Sequence, residues 1–225
     1  MIKRGRRRWL VVAAVVVVAL GVIGGSAYLY LREWRPDLGD GERYGVDVSN
    51  HQGVVDWRAV AEDGISFAYV KASEGEDWVD SRFADNWAGA AAAGVPRGAY
   101  HFLSLCSDGR AQARHFLATA PPDPAALPPA LDLELGGNCA ARPDVEAVRR
   151  EVDAFLAEVE AAWRRPVVLY VGDDWDERYP VTQDRPRWTR HLLRRPDGDW
   201  HIWQLHNFAG VSGIDGHVDL NVLRP

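Results

Sequence analysis

Leu127–Gly137, LPPALDLELGG, sets two acids inside an apolar run, and the way that run folds decides the reading of the whole chain. In an extended strand side chains alternate, so Leu131, Leu133 and Leu135 share one face while Asp132 and Glu134 share the other. On an antiparallel surface strand the two acids would face water at no cost. Pro128 and Pro129 before the run, with Gly136 and Gly137 after it, point instead to a strand within a βα unit, whose inner face is buried. Unpaired acids on such a face are expensive.

Working outward, seven similar runs recur: YGVDVS, FAYVKAS, RGAYHFL, VVLYVG, RWTRHLL, WHIWQLH and VDLNVL. Helical patterns lie between several of them, in DSRFADNWAGAAAAG, GRAQARHFLATA and PDVEAVRREVDAFLAEVEAAW. In the last, Val145, Val148, Val152, Phe155, Leu156 and Val159 recur near helical spacing and predict a stripe laid on a sheet. Strands alternating with helices predict an α/β fold of parallel βα units. Eight strands in about 180 residues predict an irregular (β/α) barrel. The late connections DDWDERYPVTQD and RRPDGD leave few helices over its last strands. The site is then expected at the C-terminal ends of the strands.

The first residues differ in kind. A basic opening, residues 1–8, precedes an uncharged stretch, residues 9–31, whose 23 residues span roughly 34 Å as a helix. This predicts a transmembrane signal-anchor with the basic end cytoplasmic and the rest extracytoplasmic, periplasmic or extracellular. The small residues of GGSA, Gly24–Ala27, leave cleavage and secretion as the alternative. Residues 32–43, charged and containing Pro and Gly, read as a linker to a domain over 44–225. Of the 26 Lys and Arg, six fall at or before Arg32, leaving 20 against 32 Asp and Glu in the remainder. So acidic a domain excludes nucleic acid as a natural partner. The seven histidines form no metal-binding signature, and neither a metal nor a cofactor is expected.

Asp47 in YGVDVS and Asp219 in VDLNVL interrupt apolar runs as Asp132 and Glu134 do, so four acids on three strands can converge. A functional carboxylate cluster, a metal site and acids satisfied structurally all remain open on spacing alone. A metal-dependent phosphoester hydrolase would also use such acids.

DVSNHQG, Asp47–Gly53, followed by YVKASEG, Tyr69–Gly75, resembles the signature of glycoside hydrolase family 25, the lysozymes of the Chalaropsis type. RGAYHF, LDLE, VLYVG, the pair Trp203–Gln204 and VDLNVL follow in the family's order, so the resemblance covers Tyr44–Leu223. Trp78 departs conservatively from the signature's usual Phe, Tyr or Leu.

The resemblance implies an N-acetylmuramidase that cleaves the β-1,4 bond between N-acetylmuramic acid and N-acetylglucosamine, with peptidoglycan as its partner and a monomer as its form. It implies Glu134 as general acid, Asp132 acting on the substrate N-acetyl group or on water, and Asp47 and Asp219 tuning charge. Such chemistry needs one carboxyl kept protonated and another negative group near the oxocarbenium-like transition state. Crowded, buried carboxyls supply both, because repulsion and burial raise at least one pKa. A wall-binding domain without activity is the alternative.

Tyr100, Tyr170, Trp203 and Gln204 are expected to contact sugar from neighbouring strands. Lys71 follows Lys3 as the second of only two lysines; it and Glu74 are counted among the expected substrate-binding residues, with an ion pair between them. Cys106 and Cys139 follow neighbouring strands in an exported domain, which predicts a disulfide bracing two loops at the catalytic end.

Overall fold

Residues 2–137 and 139–225 are described in the computed structural model, with side chains from Trp9 onward. The side chains of the basic segment 1–8 therefore lie outside the described residues. The chain divides into two units, Met1–Asp37 and Leu38–Pro225.

The first unit holds helix α1, Ile2–Glu33. Its stretch Trp9–Glu33 is long and apolar enough to cross a membrane, with mean hydropathy 2.6. The helix runs on to Glu33, and Glu42 belongs to the folded second unit, where Arg195 and Arg224 meet its buried carboxylate.

The second unit is a closed barrel. Its strands are β1 Arg43–Val48, β2 Phe67–Glu74, β3 Trp78–Val79, β4 Arg97–Phe102, β5 Ala130–Leu133, β6 Val168–Val171, β7 Arg187–Arg190, β8 Ile202–Ala209 and β9 Val218–Leu223. The order β1-β9-β8-β7-β6-β5-β4-β2 closes through β1 on β2, leaving β3 as a short hairpin arm on the end of β2. Each of the eight predicted runs is a strand of the barrel wall. All neighbours run parallel except β9, which is antiparallel to both β8 and β1. β9 reverses because the connection from β8 is too short for a crossover helix.

The helices are α2 Trp57–Glu62, α3 Phe83–Ala92, α4 Gly109–Thr119, α5 Val145–Trp163 and α6 Asp173–Arg178, so the last strands carry little helical cover. Asp144 caps α5 by accepting from the Ala147 amide at 2.7 Å. Val148, Val152, Phe155, Leu156, Val159 and Trp163 bury its apolar stripe. Val145, expected in that stripe, is 38% exposed, because it occupies the first turn beyond the packed surface. Neighbouring α4 approaches α5 closely at Gly109, where a Cβ would fall 1.9 Å from the Glu151 carbonyl oxygen.

Inside the barrel, Phe67, Tyr69, Ala130, Val168, Trp188, Ile202 and Leu223 form a sealed floor beneath Tyr170. Two glycines make the floor possible. A Cβ on Gly45 or Gly98 would lie 2.3 or 2.4 Å from ring carbons of Phe67 or Tyr69. Small residues on β1 and β4 thus admit large rings from β2, as close packing of a narrow barrel requires.

Candidate active site

On each parallel strand the inner-face residue at floor level is followed, two positions along, by a polar or ionisable one. Beyond Gly45 comes Asp47, beyond Tyr69 Lys71, beyond Gly98 Tyr100, and beyond Ala130 Asp132. On the later strands Val168 is followed by Tyr170, Trp188 by Arg190 and Ile202 by Gln204. These side chains line one cleft of about 390 Å³, with Glu134 a further two residues along from Asp132. The floor excludes water from below, so the polar layer sits at the bottom of a single open mouth.

The reversed strand β9 supplies its groups from the other end. Asp219 lies near the start of β9 and is in register with Asp47 of β1. Asn221 follows on the same face, and its amide donates to Asp47 Oδ2 at 2.7 Å. The Trp188 indole N–H donates to Asn221 Oδ1 at 2.8 Å, which fixes the amide with its NH₂ toward Asp47. Gln204 Nε2 reaches the same carboxylate oxygen at 3.4 Å.

The Tyr170 hydroxyl stands 3.2 Å from Glu134 Oε1 and 3.1 Å from Gln204 Oε1. It has one proton for two acceptors. With Glu134 ionised the hydroxyl donates to the carboxylate, and with Glu134 protonated it is free to donate to Gln204. A chain of hydrogen bonds therefore connects Glu134, Tyr170, Gln204 and Asp47.

Asp132 has no such support. Its Oδ1 is shut off from solvent and has no hydrogen-bond partner. Burial, then the neighbouring Glu134 charge, pushes its pKa well above the ordinary aspartate value, and Lys71 offsets only part of this. Asp47 is raised likewise, by burial and then by Asp219, despite its amide donors. Asp219 is pushed up to about 7, chiefly by burial, with Arg190 acting the other way. Glu134 is raised by burial and held back by Tyr170 and Arg190. The clustered carboxyls therefore hold their protons more tightly than isolated acids would.

Lys71 Nζ pairs with Glu74 Oε2 at 2.8 Å and lies over the rings of Phe102 and Trp78, at 4.7 and 5.1 Å from their centroids. Glu74 thus holds Lys71 against the cleft wall. At the rim, Ser49 and Gln52 form a reciprocal capping box that shapes the turn Asn50–Gln52. The buried Asp80 accepts from the Asn50 amide at 2.8 Å and ties that turn to the arm.

Cys106 and Cys139 are joined in a disulfide, with Cα atoms 5.7 Å apart, between the loops that follow β4 and β5. A buried array steadies the first of these loops. Ser73 Oγ meets His101 Nδ1 at 2.9 Å, and His101 Nε2 meets Gln112 Oε1 at 3.2 Å. Gln112 Oε1 also accepts from the Ser104 amide at 2.8 Å. Burial pushes His101 down to about 3, so the ring is neutral, with Nε2 donating to Gln112 and Nδ1 accepting from Ser73.

Tyr100, Tyr170, Gln204, Lys71 and the four acids all line the cleft. Trp203 does not. Alternation turns it to the outer face, where it is fully buried against Trp200 and donates its indole N–H to the His191 carbonyl at 2.8 Å. Its expected contact with sugar is thereby corrected to a packing role. Sequence reasoning missed Arg190, which lines the cleft, and the fully buried Asn221, which holds Asp47. Their signal lay in the same alternation, since each is two positions from an inward-facing residue, Trp188 or Asp219. No group of three or more His, Cys, Asp or Glu among the described residues is arranged to hold a metal ion.

Residues 46–216 match the family model described as glycosyl hydrolases family 25. An uncharacterized protein of Escherichia coli K12, YegX, is 36% identical over 192 residues, covering 80% of this chain and 69% of that protein. Lysozyme M1 of Streptomyces globisporus is 34% identical over 195 residues, covering 79% of this chain and 66% of that protein. Among solved structures, a family 25 glycosyl hydrolase from Bacillus anthracis superposes with a TM-score of 0.77 at 32% identity. That match covers 84% of this chain and 92% of the other.

Proposed function

The chain belongs to glycosyl hydrolase family 25, and from that premise we propose that it cleaves peptidoglycan between N-acetylmuramic acid and N-acetylglucosamine with the acids of the barrel mouth. It is a glycoside hydrolase of the lysozyme class. The observation that carries the assignment of roles is the contrast between Glu134 and Asp132. Glu134 lies outermost, on the hydrogen-bonded relay, while Asp132 lies one step deeper with an unpartnered oxygen.

Glu134 is the general acid. Its raised pKa keeps the proton available, and the Tyr170 hydroxyl stabilises the carboxylate left when that proton goes to the leaving oxygen. Asp132, lining the cleft one step deeper than Glu134, assists the substrate's N-acetyl group or a water as positive charge develops at the anomeric carbon. Asp47, fixed by Asn221 and Gln204, and Asp219 add negative potential below the ring.

Helix α1 is the membrane anchor of this enzyme, with the barrel on the extracytoplasmic side. Its length, its hydropathy and the basic residues before it support that placement. Intact mass of the mature chain checks it, and loss of residues before Ala27 would replace the anchor with a cleaved signal.

The decisive assay incubates the chain with purified peptidoglycan and identifies the new reducing ends. Muramic acid ends are expected. Glucosamine ends would mean that a different bond is cut. Glu134→Gln should lower turnover by at least about a thousandfold while the wall is still bound, and near-normal turnover would remove Glu134 from the acid role.

A further inference from the structure

The cleft holds two strong cations, and only one has a protein partner. Lys71 is committed to Glu74 and to the rings of Phe102 and Trp78. Arg190 sits at the end of β7, half-buried on the inner face above Trp188. Among the described residues its guanidinium makes no hydrogen bond or ion pair. The neighbouring acids feel its charge, since Arg190 acts against the raised pKa of both Glu134 and Asp219. Five N–H donors are thus presented to the cleft with no acceptor of the protein in contact.

The proposed substrate carries one group that suits such a fork. Muramic acid differs from glucosamine by a 3-O-lactyl ether ending in a carboxylate, or in an amide where a stem peptide is attached. A carboxylate entering a mouth lined by Asp47, Asp132, Glu134 and Asp219 is repelled unless a cation receives it. A guanidinium binds a carboxylate through two parallel N–H···O bonds and an amide carbonyl through one or two weaker ones.

Resting on the muramidase reading, we propose that Arg190 is a specificity-determining residue that receives the free lactyl carboxylate of muramic acid. The enzyme then favours glycan stripped of its stem peptides. It acts best after an amidase-type reaction has exposed the carboxylate.

The test uses the full chain in detergent micelles and two batches of glycan strands freed of peptide. One batch has its lactyl carboxylates intact, and the other has them converted to methylamides. Arg190→Gln should raise KM on the carboxylate batch at least about tenfold more than on the methylamide batch, whatever common change in kcat both batches share. Arg190→Lys should restore part of the loss. Calorimetric binding of an N-acetylglucosaminyl-N-acetylmuramic acid disaccharide, with and without the methylamide, reads the same contrast without turnover, and thermal melts confirm that both variants fold.

An unchanged KM overturns the proposal. So does an equal loss on both batches with a shifted pH optimum, which would mean that Arg190 acts only on the charge of the acids. A wild-type chain that cuts neither batch contradicts the muramidase reading, while the binding contrast still decides the role of Arg190.

Discussion

Neutralising Asp219 should stabilise the protein, and only above mildly acidic pH. Asp219 is pushed from the ordinary aspartate value of 3.8 up to about 7, chiefly by burial in the cleft. Between those values the folded chain holds a proton that the unfolded chain has released, so stability falls as pH rises. The penalty is absent below about pH 4, grows through pH 5 and 6, and is complete above about pH 7. At about 1.36 kcal/mol for each pH unit, the difference comes to about 4 kcal/mol. Asp219→Asn keeps the shape of the side chain and cannot ionise. The variant should therefore match the wild type near pH 4 and exceed it by about 4 kcal/mol at pH 8. For a domain of this size that is a rise in Tm of about 8 to 16 °C. Paired thermal melts from pH 4 to 8 follow the gap directly. A gap that stays constant with pH, or that closes as pH rises, would refute the account of Asp219 as a carboxyl held out of water.

Tyr170→Phe removes the hydroxyl that holds the Glu134 pKa down, so the alkaline limb of the pH–rate profile should move upward; a downward move would contradict the relay. Gly98→Ala forces a methyl into the Tyr69 ring and should cost about 1 to 3 kcal/mol in denaturant melts, whereas a neutral outcome would mean that the floor is looser than described. Reducing the Cys106–Cys139 bond reopens a loop spanning 33 residues and should cost about 3 to 4 kcal/mol by loop-closure entropy. Melts with and without reductant measure that cost.

Much of the barrel was legible because period-two alternation is a strong signal when one face is sealed. ALDLEL announced its acids by breaking an apolar run, and YGVDVS and VDLNVL repeated the pattern. Arg190 passed unnoticed because RWTRHLL mixes charges on both faces, and only knowledge that Trp188 points inward selects Arg190 over Arg187. Trp203 misled for the converse reason. A Trp beside a glutamine in a strand reads as a sugar platform, yet Gln204 faces the cleft, and its immediate neighbour must then face away. The direction of β9 was not written in VDLNVL at all, since a strand's pattern is the same read from either end. Helix α2, only six residues long, has too few turns for a period to emerge.

The reversal of β9 gives the enzyme an order of assembly. Asp219 and Asn221 reach the mouth on the strand that closes the barrel between β8 and β1, so one acid and one amide of the site arrive with residues 218–223. A nascent chain that has folded every parallel strand still lacks both groups, and Asp47 has not yet received its shortest hydrogen bond. Hydrolytic competence therefore hangs on the pairing of that one reversed strand with both of its neighbours.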